Sequence, residues 1–94
     1  FSRRDKIARA VQEKYPEIAI EIWKSIAEEL IARTKTEAYE SASIYLRMVR
    51  NAMETSGQNK EWESYLREIR EKNRLKRKLL EILDMLEKGR TLDS

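Results

Sequence analysis

Trp23-Lys24-Ser25-Ile26-Ala27-Glu28-Glu29-Leu30 returns thirty-nine positions later as Trp62-Glu63-Ser64-Tyr65-Leu66-Arg67-Glu68-Ile69. The Trp, the Ser and the second Glu are identical, and apolar positions match in kind. A period near forty residues is that of stacked helical hairpins, each too small to bury its apolar face without a neighbour. The pattern implies an all-α fold of antiparallel hairpins forming a short solenoid.

Working outward, the apolar spacing predicts five helices. The first covers about 3–14, with Ile7, Ala8, Ala10 and Val11 as a thin apolar face. Tyr15-Pro16 ends it, since a residue before proline avoids the helical region while proline suits a first helical position. The second helix runs to about Arg33, with Ile18, Ile22, Ile26 and Leu30 spaced four apart and Trp23 beside them. Thr36 is the expected N-cap of the third, which carries Ala38, Ala42, Tyr45, Leu46, Val49 and Met53 to about Thr55. Gly57 suits a left-handed helix terminus, and Asn59 can cap the fourth helix.

From Lys60 to Lys88 the chain could be one helix, but the apolar stripe rotates. Trp62, Tyr65, Leu66 and Ile69 precede five polar residues, and the stripe resumes at Leu75, Leu79, Ile82, Leu83 and Leu86 about a quarter turn away. A break near Asn73 is therefore expected. The hairpins then cover about 16–55 and 59–88 in a single domain spanning 1–94. The second helices of the two copies match only at an offset of forty-one, implying a turn two residues longer. The candidate core is Ile22, Trp23, Ile26, Leu30, Ala42, Tyr45, Leu46, Trp62, Leu66, Ile69, Leu79 and Leu83. Tyr39 and Tyr45, with polar tips on apolar bodies, are expected to bridge core and surface.

Composition limits the chemistry. Ninety-four residues with two Gly and one Pro give one nearly all-helical domain with a modest core. Cys and His are both absent. That removes the commonest zinc ligands, the thiol nucleophile and the usual neutral-pH base. No phosphate-binding Gly loop or serine-nucleophile motif occurs, so no enzyme and no cofactor are expected. Lacking Cys fits an intracellular, cytoplasmic protein. No apolar run approaches the ~20 residues of a membrane span, and no membrane partner is expected. A chain opening on Phe1 reads as a fragment of a longer protein.

The strongest charge feature is the run Arg67, Arg70, Lys72, Arg74, Lys76, Arg77 and Lys78. It could contact phosphates around a helical elbow. Glu63, Glu68, Glu71 and Glu81 stand at pairing distance along the helices, which favours a solvated mixed-charge face. Arg67, Arg70, Arg74, Lys76, Arg77 and Lys78 are the candidate contacts to nucleic acid or an acidic partner. The Glu28-Glu29 pair reads as a solvated face.

Pro16-Glu17 leading to Ile22-Trp23, then Ala38-Tyr39, Ala42 and Tyr45-Leu46, then Trp62, Tyr65-Leu66, Ile69-Arg70 and Lys76-Arg77-Lys78-Leu79 form a further pattern. In these residues, from about Ala8 to Leu83, the chain resembles the helical C-terminal region of SWIM-type zinc-finger proteins. The resemblance implies a tetratricopeptide-like solenoid from a larger intracellular protein, in a family associated with protein and nucleic-acid interactions. The family's finger needs Cys and His ligands, so any zinc site lies outside these residues. The expected function is a non-enzymatic interaction or scaffolding module. Its partner would be a protein or another domain of its own parent chain. Nucleic-acid binding through 67–78 is the alternative, and homo-oligomerisation through an exposed end helix is a further option.

Overall fold

A computed structural model describes residues 2–93, with side chains described from Arg3 to Glu87. It contains five helices: α1 Ser2–Val11, α2 Pro16–Ala32, α3 Thr36–Thr55, α4 Asn59–Lys72 and α5 Arg77–Asp93. No strand occurs among the described residues, and the fold is all-α.

Helix ends follow local chemistry more closely than the apolar stripes. α1 stops at Val11 rather than Lys14; residues 12–14 form a turn closed by the Tyr15 N–H on Val11 O at 2.7 Å, and Tyr15, the residue before Pro16, leaves the helical region. Pro16 occupies the first turn of α2, where its missing N–H costs nothing. Thr36 and Asn59 are not caps: each is the first residue of its helix, and Lys35 and Gln58 stand at the cap positions without a side-chain bond. α3 ends in a Schellman motif, with Gly57 at φ 75° and the Gln58 and Gly57 N–H groups donating to Met53 O (2.7 Å) and Glu54 O (3.2 Å). The break near Asn73 is present. Asn73 caps α4 by donating its side-chain N–H to Ile69 O at 2.9 Å, and Lys76 N–H closes the turn on Asn73 O. α5 runs beyond Lys88 to Asp93, since one Gly costs only ~1 kcal/mol relative to Ala in a helix.

Eleven of the twelve candidate core residues are buried, including both Trp rings; Ile22 is half-buried at the edge of the core. Helical rotation explains the exception. At ~100° per residue, a row spaced by four drifts, so Ile22 lies about 100° and Ile18 about 140° from Trp23. Ile18 is accordingly exposed, while Ala19, Ile20, Ala27 and Ile31 fill the buried arc. Leu75 departs from expectation most: it lies in the α4–α5 turn and is 91% exposed. Tyr39 is buried; Tyr45 is buried by its ring, while its phenol feels the charges of Asp5 and Arg9 of α1.

α3 is the hub. It packs on α2, α4 and α5, while α1 packs on α2. Among the described residues, α4 and α5 approach each other less closely than either approaches α3, so the second helix pair is more open than the first. Arg70 links that pair by donating to Asp84 (2.8 Å) and to Glu87. The two pairs nevertheless bury matching positions. At the offset of forty-one, Ala38, Ala42 and Tyr45 of α3 correspond to Leu79, Leu83 and Leu86 of α5, all buried, whereas Tyr39 is buried and its counterpart Leu80 only half-buried.

Candidate interaction groove

Two short turns, one on each side of α3, make α2 and α4 run in the same direction, and a groove separates them. Its middle is crossed by Tyr65, whose hydroxyl donates to Glu28 at 2.6 Å. The Lys24 ammonium lies 4.5 Å from the centre of the same ring, a cation–π distance. Burial, reinforced by the bond to Glu28, pushes the Tyr65 phenol well above its ordinary pKa, so it stays a neutral donor.

On the side of this bridge nearest the α4–α5 turn, a recess of about 180 Å³ is lined by Ile31, Ala32, Ile69, Lys72, Asn73 and Lys76, among others. Along α2 the groove widens past Glu21, Ser25 and Glu29, and it continues past Lys60, Glu61 and Ser64 on the far side of Tyr65. The recess has apolar side chains, Ile31 and Ile69, among its lining, while the rest of the groove is lined mainly by charged and polar side chains of both signs around Tyr65. Some rim groups are held already. Glu29 accepts two hydrogen bonds from Arg4 of α1, at 2.7 and 2.8 Å, which hold its carboxyl below the usual range. Lys72 pairs loosely with Glu68 at 3.8 Å.

The basic run does not form one surface. Arg70 is half-buried between Asp84 and Glu87; burial opposes its charge, and the two carboxylates more than offset that. Lys78 pairs with Glu81 at 3.8 Å. Arg67 stands beside Trp62, Leu66 and Glu87 on the α4–α5 side, while Lys76 lines the α2–α4 groove. Arg74, Lys76, Arg77 and Lys78 cluster around the exposed turn, and Lys72 shares the recess beside it with Lys76.

Sequence reasoning placed Tyr65 on the apolar row of the fourth helix and read Glu28 as a solvated acid, and so missed the bridge. A signal existed: Tyr65 replaces Ile26 of the first copy, and a hydroxyl placed on a core row needs an acceptor. Among the described residues, no group of three or more His, Cys, Asp or Glu is placed to hold a metal ion. No described helix is long and apolar enough to cross a membrane. Comparison with protein-family models, with curated proteins and with solved structures found no match.

Proposed function

We propose that the chain is a non-enzymatic protein-interaction module, a short tetratricopeptide-like solenoid that receives a peptide segment of a partner in the groove between α2 and α4. The observation that carries this reading is the groove itself: two parallel helices held apart, with one recess beside Ile31 and Ile69 and a mixed-charge lining elsewhere. A peptide could place one apolar side chain in the recess over Ile31 and Ile69 and engage the rim through polar contacts, with affinity from burial and selectivity from charge. The resemblance to the C-terminal region of SWIM-type proteins supports the same reading, and the partner segment would lie in the parent chain or in a separate protein.

Selection of a displayed random-peptide library on the domain tests it. Enriched peptides should lose binding to an Ala32→Arg variant, which fills the recess from an exposed position and leaves the core alone. They should keep binding to a Glu40→Arg variant on α3. Failure to enrich any peptide, or enriched peptides indifferent to Ala32→Arg, would reject the groove.

A further inference from the structure

The fold gathers positive charge at one end of the molecule. The recess lined by Ala32, Asn73 and Lys76 sets the end of α2 beside the α4–α5 turn, so the α2–α3 turn and the α4–α5 turn lie at the same end. Segments 33–37 and 71–81 carry seven cations against three acids, and the rest of the chain carries 13 against 14. The opposite end, formed by 12–17 and 54–61, carries two cations against four acids. Such a molecule is electrically polarised along the bundle, and a flat anionic surface would attract and orient it end-on.

Charge alone would suit several polyanions, and Leu75 separates them. It is the most exposed large apolar side chain described, at the tip of the basic turn between Arg74 and Lys76. No aromatic ring stands in either turn segment to stack on a base, and the end presents turn tips rather than a helix face for a duplex groove. A bilayer surface offers what this tip lacks: acyl chains for Leu75 and acidic headgroups for the cations around it. We propose that this end docks on an anionic phospholipid surface, with Leu75 entering the interface while Arg33 and Lys35 contact headgroups beside Arg74, Lys76 and Arg77. The lack of a spanning helix bears on insertion across a bilayer, not on contact with its surface.

Co-sedimentation with phosphatidylcholine vesicles, with and without about 30 mol% phosphatidylserine, tests this directly. Binding should require phosphatidylserine and weaken with salt. Arg33→Glu with Lys35→Glu should lower it by on the order of 20-fold or more, since each cation near such a surface contributes about fivefold. Because the chain has no Cys, Leu75→Cys can carry an environment-sensitive fluorophore, whose emission should shift to the blue only with the anionic vesicles. Leu75→Ser should weaken vesicle binding while the thermal midpoint stays unchanged. No sedimentation with phosphatidylserine, or an unshifted fluorophore, overturns the proposal. So does tighter binding to duplex DNA that Leu75→Ser leaves intact, which would assign the basic end to nucleic acid.

Discussion

Thr34 adopts φ 55°, a left-handed conformation at the residue that follows the C-cap of α2. A β-branched residue is poorly suited to it, and its hydroxyl bonds only to the neighbouring Arg33 carbonyl at 2.7 Å. Gly57 occupies the corresponding position after α3, with no such strain. Thr34→Gly should therefore raise stability by about 1 kcal/mol, visible as a thermal midpoint higher by ~4–8 °C. An unchanged or lower midpoint would mean that the turn is not strained at Thr34. Tyr65 gives a second residue-scale prediction. Its pKa is higher folded than unfolded, so its contribution is complete below the unfolded value of ~10 and is lost as pH rises beyond it. In denaturant titrations at pH 8 and 11, wild type should lose more stability between the two than Tyr65→Phe does. Equal losses would show that the phenol titrates normally.

Element by element, the two Trp-bearing helices were legible because burial repeats with the sequence. Trp23 is anchored by donating its ring N–H to Asp5 of α1 at 3.2 Å, whereas Trp62 packs in the core beside Tyr65, with ring centres 6.4 Å apart. Trp62→Ala should cost ~3–5 kcal/mol by denaturant unfolding, and a near-neutral result would remove it from the core. The break at Asn73 was legible from the rotated apolar stripe. The fate of Leu75 was not: counted by spacing it belongs to α5, but the helix begins two residues later, and a turn residue has no face to bury. The cap assignments failed for a related reason. Thr36 and Asn59 have suitable side chains, yet backbone geometry starts each helix one residue earlier, at the residue expected to cap it.

For the molecule as a whole, α3 carries the architecture, since α2, α4 and α5 all pack on it. Leu46, fully buried on α3, should be a site where damage spreads. Leu46→Ala should destabilise the chain by ~2–5 kcal/mol, with near- and far-ultraviolet dichroism lost in one coincident transition. Separate transitions would show that α4 and α5 unfold independently of the α1–α3 unit. Arg70 shows how little of a charge run can be read in one dimension. Its neighbours in sequence are basic, but its partners, Asp84 and Glu87, come from α5.

By itself the sequence determined the five helices, the break between α4 and α5 and nearly all of the core, because helix formation and burial follow periodicity and turn chemistry within a few residues. Only the tertiary structure decided which side chains meet across helices. Packing about α3 set α2 and α4 parallel, opened the groove that Tyr65 bridges to Glu28, withdrew Arg70 from the basic run and set the end of α2 beside the α4–α5 turn. Those outcomes depend on distances between residues on different helices, 14 to 37 positions apart for the Arg70 and Tyr65 bonds, which no local pattern encodes.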